Sequence, residues 1–147
     1  MRDLYTIGYS GFTVDSFIAE LQSHGIKVVL DIRMNPISRK RGFSKKKLEE
    51  SLSEAGIQYI HSRDLGSPKA LRDTYYANKE YQQFFDSFRS YLTGQTDAIA
   101  QAVTLAAHDD VCLMCVEETP GMCHRHIVAD TIVASSDMPM QVHHLAH

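Results

Sequence analysis

The chain has 147 residues, 44% of them hydrophobic and 22% charged, with a formal net charge of −3. This composition is typical of a globular protein and excludes a disordered or fibrous chain, and no run approaches the ~18 apolar residues that span a bilayer. The opening residues lack a secretory signal, and an odd number of cysteines argues against a disulfide framework. We therefore predict a cytoplasmic protein with no membrane association, formed by a single domain over residues 1–147.

The first part of the chain alternates between strand and helix signals. The segment 4–8 predicts a buried strand, and Thr13 is a suitable N-cap for a helix with apolar residues on one face. Gly25 ends that helix in the manner of a C′ glycine. The apolar, β-branched run at 28–32 then predicts a strand of the kind that parallel sheets cover on both faces.

The same alternation continues through the middle of the chain. Ser44 is a candidate cap for a second helix, Gly56 ends it, and residues 57–61 predict a third strand. Polar and turn-forming residues from 61 to 79 predict a long loop, which in a compact domain is often functional. The aromatic stripe that begins at Tyr81 predicts an amphipathic helix whose rings form core and not a ligand-binding surface.

The last part of the chain predicts two helices and two strands. Thr96 is the predicted cap of the first helix, residues 111–116 form a strand, residues 123–135 form the final helix, and residues 141–145 close the sheet. This order predicts an α/β fold, with a mostly parallel sheet of about five strands and helices on both faces.

Polar residues follow four of the predicted strands. In parallel α/β sheets ligands bind outside the carboxyl ends of the strands, so we expect these side chains to converge. The residues at these strand ends are Tyr9 and Ser10; Asp31 and Arg33; His61, Arg63 and Asp64; and Glu117.

The segment from Cys112 to Arg125 is the strongest local signal in the sequence. Cys112 and Cys115 have the C-x-x-C spacing of a metal site, but positions three apart in a strand point to opposite faces. Cys123, His124 and Arg125 begin the last predicted helix, where unpaired N–H groups and the helix dipole lower the pKa of a thiol. Cys123 is therefore a candidate nucleophile or metal ligand, His124 an acid, base or ligand, and Arg125 a bidentate anion-binding group. Each of the three also has a purely structural alternative.

Asp31 and Arg33 allow two interpretations. An aspartate that ends an apolar strand can act as a general base or a ligand, and the arginine two residues later can hold a negative charge. The two residues can equally form a structural ion pair.

A basic run lies between the second predicted strand and the second predicted helix. Its members are Arg39, Lys40, Arg41, Lys45, Lys46 and Lys47. No acidic residue occurs between Ile32 and Leu48. The three lysines fall in the first turn of the helix, where positive charge is unfavourable by ~0.3–1 kcal/mol per residue. A phosphate partner would offset this effect, and a solvated basic face is the alternative interpretation.

Four segments of the sequence resemble a known family. They are TIGYS at 6–10, LDIRMNPISR at 30–39, GIQYIH with DLG at 56–66, and CVEETPGMCHR at 115–125. Together they resemble the domain-of-unknown-function family 488 over nearly the whole chain. The resemblance implies a small bacterial or archaeal α/β domain without a settled activity, and Ser67 follows DLG where a second glycine is expected. The recurrent polar positions of the family correspond to Tyr9, Ser10, Asp31, Arg33, Ser38, Arg39, Cys115, Glu117, Cys123, His124 and Arg125.

These residues support two main hypotheses about function. The first is an enzyme that acts on a small anionic or phosphate-bearing substrate at the strand ends. Its predicted catalytic residues are Cys123, His124, Asp31 and Glu117. Its predicted anion-binding residues are Arg125, Arg33, Arg39, Tyr9 and Ser10.

The second hypothesis is a metal-binding protein. Its predicted ligands are Cys115, Cys123 and His124, with Glu117 or Asp31 as a carboxylate. Such a mixed set of sulfur, nitrogen and oxygen ligands suits zinc or iron as the cofactor. A weaker third hypothesis is a nucleic-acid-binding module that uses the basic run, with binding that falls steeply as salt rises.

Overall fold

The computed structural model describes residues 1–117 and 124–146. Within these residues the chain forms five strands, six α-helices and one short 3₁₀ turn, and none of the helices has the length and apolar character that a membrane crossing requires. The strands are β1 (Arg2–Gly8), β2 (Val28–Asp31), β3 (Gln58–His61), β4 (Val111–Cys115) and β5 (Met140–Leu145). The helices are α1 (Val14–Ser23), α2 (Lys45–Glu54), α3 (Lys69–Asn78), α4 (Tyr81–Thr93), α5 (Thr96–His108) and α6 (Arg125–Ser135), and the 3₁₀ turn is Arg63–Leu65.

The strands belong to one sheet, in the order β3-β2-β4-β1-β5. Every neighbouring pair is parallel; for example, Val29 lies opposite Cys112, and Cys112 in turn lies opposite Tyr5. This arrangement confirms the predicted α/β class and the predicted number of strands. Because the strands run in one direction, their carboxyl ends lie at the same edge of the sheet.

Helices cover both faces of the sheet, as predicted. Successive strand residues point to opposite faces, so Val29 packs in one core cluster and Leu30 in the other. Phe17 of α1 and Leu48 of α2 belong to the cluster of Val29, whereas α4, α5 and α6 pack in the cluster of Leu30 through residues such as Phe88. All residues of β2 and β4 are buried because helices enclose these central strands on both sides.

Local interactions set the ends of the first two helices. Thr13 is the N-cap of α1, as predicted, and its hydroxyl accepts from the Ser16 amide at 3.1 Å while the Ser16 hydroxyl accepts from the Thr13 amide at 2.9 Å. Gly25 follows α1 with a φ of +68°, a conformation that favours glycine. Ser44 precedes α2, also as predicted, but its side chain bonds the backbone of Ser38 and not the amides of the helix.

The segment between β3 and α4 differs from the predicted long loop. It contains the 3₁₀ turn and α3, a helix that begins directly after Pro68. None of the 10 residues of α3 is fully buried, although Leu71 packs against a core cluster. The prediction of a loop was therefore wrong for residues 69–78.

Candidate functional site

The polar strand ends are neighbours at one edge of the sheet. Backbone hydrogen bonds continue the pairing beyond the strands: Tyr9 N donates to Cys115 O at 3.0 Å, and Ser62 N donates to Asp31 O at 2.9 Å. The segment after β2 is joined in the same way to the end of β4. The four strand ends that the sequence singled out therefore lie side by side.

A cavity of about 450 Å³ opens at this edge. Its walls come from the segments after β2 and β4, from α3 and α4, and from the residue that precedes α6. Of the site residues predicted from the sequence, Arg33, Cys115, Glu117 and His124 line it. Its volume lies within the range of about 300–1,000 Å³ that small-molecule sites occupy. This cavity is the candidate functional site.

Cationic groups outnumber the carboxylates among the described residues that line the cavity. Arg33, Arg72 and Lys79 are the cations, and Glu117 is the carboxylate. The Nε atom of Arg72 is buried and has no hydrogen-bond acceptor within the described parts of the chain. The site is therefore suited to an anion.

Four aromatic side chains, Tyr75, Tyr76, Tyr81 and Phe84, form what we term the aromatic wall of the cavity. The ring centre of Tyr75 lies 4.7 Å from that of Tyr81, 5.6 Å from that of Tyr76 and 5.8 Å from that of Phe84. Lys79 Nζ lies 5.2 Å from the ring centre of Tyr76 and 5.5 Å from that of Tyr75. A hydrogen bond with Tyr81 raises the pKa of Tyr75 to about 12, so its phenol keeps its proton at neutral pH.

Asp31 and Arg33 form a buried ion pair behind the cavity. Arg33 Nε donates to both carboxylate oxygens, at 2.9 and 3.1 Å, and its Nη2 donates to Oδ2 at 2.7 Å. Tyr59 OH donates to the same Oδ2 at 2.5 Å, and Arg33 Nη1 donates to Phe43 O at 2.6 Å. Burial alone would lower the pKa of Arg33, but its contacts with Asp31 raise it. Burial and the bond to Asp31 also raise the pKa of Tyr59. The geometry is that of a structural ion pair whose carboxylate oxygens are both occupied.

Two histidines hold the segment that follows β2. His124 Nε2 donates to Ile32 O at 3.1 Å, and His61 Nε2 donates to Arg33 O at 2.7 Å. Because a carbonyl oxygen only accepts, each of these nitrogens carries a proton. Burial lowers the pKa of His124 to about 4, although its bond to Ile32 acts in the opposite direction, so the imidazole is neutral at pH 7.

Arg125 lies inside the protein and is not among the residues that line the cavity. Its side chain is 0% exposed. Its Nε donates to Thr6 Oγ1 at 3.1 Å, and its Nη1 donates to Cys115 Sγ at 3.5 Å and to Glu117 O. A Cβ atom at Gly8 would overlap both Glu117 O and the guanidinium, so only glycine fits there. Arg125 therefore fixes the backbone that brings Glu117 to the cavity.

The other residues predicted to bind anions lie outside the cavity lining. Tyr9 is buried, its ring stacks on Phe43 with centres 4.5 Å apart, and its OH donates to Ser38 Oγ at 2.9 Å. Ser10 and Arg39 are exposed. The hydrogen bond between Tyr9 and Ser38 therefore holds the segment after β2 without either residue lining the cavity.

A protein-family model matches residues 13–132 of the chain, and its family is described as Domain of unknown function DUF488. The chain belongs to this family. The DUF488 match includes every described residue that lines the cavity, from Arg33 to His124, and confirms the resemblance predicted from the sequence. Neither the curated proteins nor the solved structures include a match to the chain.

The cysteines of this DUF488 domain differ in what the structure shows of them. Cys112 and Cys115 pack in opposite core clusters, as predicted, and burial raises the pKa of Cys112. Within residues 1–117 and 124–146, no three His, Cys, Asp or Glu side chains are placed to hold a metal ion. Cys123 lies outside the described residues, so its predicted roles as nucleophile and as metal ligand stay predictions.

Several residues that line the cavity of the DUF488 domain were not predicted from the sequence, and four of them share one spacing. They are Arg72, Tyr75, Tyr76 and Lys79, all at or near α3. They follow the i, i+3, i+4, i+7 spacing of one helix face, which is a recognisable signal. The signal is missed by a search for apolar periodicity because two of the four positions are charged and the other two are tyrosines.

The aromatic stripe of α4 has two roles. Phe88 and Leu92 are fully buried in the core, as predicted. Tyr81 and Phe84 line the cavity, so the N-terminal end of the stripe is a wall of the site and not only core.

Proposed function

We propose that this DUF488 protein binds a small anionic, phosphate-bearing molecule in the cavity at the carboxyl edge of its sheet. The observation that carries the proposal is the buried Nε of Arg72, which lacks an acceptor within the described residues. A buried donor left unsatisfied costs about 1–3 kcal/mol, and more when the group is charged. A phosphate oxygen of a bound ligand would supply the acceptor.

The charges near Arg72 favour an anion over a neutral ligand. Lys79 lines the same cavity, and its ammonium group is a point charge suited to phosphate. Arg33 contributes less, because its Nη2 lies 2.7 Å from Asp31 and its charge is balanced there. Arg72 and Lys79 together still outnumber Glu117.

His124 lines the cavity as a neutral group and is poorly suited to act as a general base. A general base works best when its pKa lies near the working pH, whereas burial lowers the pKa of His124 to about 4. Its Nε2 proton is donated to Ile32 O, and the neutral ring adds no charge to the cavity. Catalysis on the ligand would depend on the chemistry predicted for Cys123, which lies outside the described residues.

Isothermal titration calorimetry with inorganic phosphate and with ribose 5-phosphate tests the proposal. We expect the wild-type protein to bind ribose 5-phosphate with an affinity that falls as salt rises. Arg72→Gln should bind about tenfold to a hundredfold more weakly, since a hydrogen bond to a charged group contributes about 1.5–3 kcal/mol.

Arg89→Gln is the matched control for this experiment. Arg89 is exposed on α4 and pairs with Asp86 at 3.2 Å, so its loss removes the same charge away from the cavity. The control should bind as the wild type does. If Arg72→Gln also binds as the wild type does, or if the wild type binds neither probe at millimolar concentration, the proposal is wrong.

A further inference from the structure

The ring faces of the aromatic wall are not needed to hold a phosphate group. Tyr76 is 64% exposed, and the rings of Tyr75 and Tyr81 lie 4.7 Å apart beside it. Aromatic rings at the surface of a binding site stack on planar rings of the ligand, and bases stack on tyrosine without regard to their sequence. The wall is therefore a surface for a planar group.

We infer that the anion bound in this cavity carries a nucleobase, so that the ligand is a nucleoside phosphate; this inference rests on the phosphate binding proposed above. One face of α3 and its C-terminal cap presents both kinds of group: Arg72 and Lys79 flank Tyr75 and Tyr76. Because α3 and its C-cap carry all four side chains, the cationic groups and the planar surface lie next to each other. A ligand that uses both must contain an anionic group and a ring in one molecule.

Lys79 joins the two parts of the site. Its Nζ lies 5.2 Å from the ring centre of Tyr76 and 5.5 Å from that of Tyr75. Its φ of 58° is the left-handed conformation that commonly ends a helix, and its amide donates to Tyr75 O at the end of α3. The positive charge of this exposed side chain thus lies beside the stacking surface.

Glu117 and Asn35 provide hydrogen-bonding groups that a phosphate does not need. Both line the cavity. The carboxylate of Glu117 repels a phosphate, but it accepts hydrogen bonds from sugar hydroxyls or from the amino group of a base. The amide of Asn35 donates and accepts, as the edge of a base does. A nucleoside phosphate contains all the groups that these walls complement.

Calorimetric titration with the nucleoside 5′-monophosphates, compared with ribose 5-phosphate, tests the inference. We expect at least one nucleoside monophosphate to bind about tenfold or more tightly than ribose 5-phosphate, which is the contribution of one stacked base. Tyr76→Leu should lose most of this preference, which is measured as the ratio of the two affinities in the same variant, because loss of the ring can also shift Lys79 and weaken both ligands. Tyr76→Phe should retain the preference, because the ring remains. Tyr76 is 64% exposed, so neither change removes a core side chain.

The possible outcomes separate this inference from the proposed function. If nucleoside monophosphates and ribose 5-phosphate bind equally tightly, the inference is overturned and phosphate binding stands. If neither binds, both are overturned. A preference that survives in Tyr76→Leu also overturns stacking on this ring. Tighter binding of a 5′-phosphorylated dinucleotide than of a mononucleotide would identify the end of a strand as the source of the nucleotide, and weaker binding would identify the free nucleotide.

Discussion

Asp31 is a residue whose role depends on partners that are distant in the sequence. An aspartate two positions before an arginine is compatible with a general base and with an ion pair. Tyr59 comes from β3, and the carbonyl of Phe43 comes from the segment before α2; these groups complete the network around Asp31 and Arg33. Neither partner is identifiable from the local sequence, so the choice between the two interpretations needed the folded chain.

Removal of the Asp31 charge should weaken the fold strongly. We expect Asp31→Asn to lower the free energy of unfolding by about 3–5 kcal/mol, because the buried Arg33 then lacks its counterion. Tyr59→Phe should lower it by about 1–3 kcal/mol, since only one bond to a charged oxygen is lost. Urea denaturation at pH 7, followed by circular dichroism, measures both values. Similar small losses in the two variants would contradict the ion-pair role.

The neutral state of His124 has a consequence for stability. Burial lowers its pKa from 6.5 to about 4 on folding. Between these pH values the unfolded chain binds more protons at this histidine than the folded chain does. The folded state therefore keeps its full stability above pH 6.5 and loses stability as the pH falls toward 4. We expect the free energy of unfolding to be about 1–2 kcal/mol smaller at pH 5 than at pH 7 from this residue.

His124→Gln is the variant that isolates this effect. The amide nitrogen of glutamine lies at the distance of Nε2 along the side chain, so it can still donate to Ile32 O, but it does not titrate. The difference in unfolding free energy between pH 7 and pH 5, measured with urea, should be smaller in the variant than in the wild type. Burial also lowers the pKa of His144, which contributes in the same direction in both proteins. An undiminished difference in His124→Gln would show that His124 is not the responsible group.

Among the elements, α2 begins with an unfavourable arrangement of charge. Lys45, Lys46 and Lys47 are exposed in its first turn, which contains no acidic residue and no side-chain cap. We expect Lys45→Glu to raise the free energy of unfolding by about 0.5–1 kcal/mol at low salt, with a smaller gain at high salt. Lys27→Glu makes the same charge change outside any helix and is the control. An equal gain in both variants would point to net charge and not to the helix dipole.

The prediction that the basic run contacts nucleic acid is separate from this stability argument. Arg39, Arg41 and the three lysines of α2 are exposed and accessible to a partner. The measurement is the affinity for an oligonucleotide as a function of salt, since each neutralised phosphate releases counterions. Binding that does not change with salt would remove this hypothesis.

α3 shows where element prediction from sequence stops. The preceding helices α1 and α2 each place leucines or phenylalanines in the core, and this periodicity made them predictable. α3 has no fully buried residue, and the face that carries Arg72, Tyr75 and Tyr76 lines a cavity instead. A helix whose inner face carries tyrosines and cations is missed when helices are recognised by regularly spaced leucines and phenylalanines.

For the whole molecule, short stretches of sequence were enough to predict the α/β class of the fold. They were not enough to predict the order of the strands in the sheet. The runs Val28–Asp31 and Val111–Cys115 are apolar because they are central strands, and they were predicted as such. The order β3-β2-β4-β1-β5 depends on which face of the sheet each connection between strands crosses. No local sequence pattern encodes this choice of face. The sequence predicted only those residues of the cavity that follow the strands, such as Arg33 and Glu117.

The order of strands also determines when the chain can fold during synthesis. The sheet neighbours of β1 are β4 and β5, so residues at the very start of the chain pair with residues 111–115 and 140–145. β4 also separates β1 from β2, which leaves residues 1–110 without a continuous sheet. Pairing between such distant segments is slow. A nascent chain must therefore keep β1 unpaired until the residues of β4 have been synthesised, and a fragment that ends at residue 110 should show no cooperative unfolding transition.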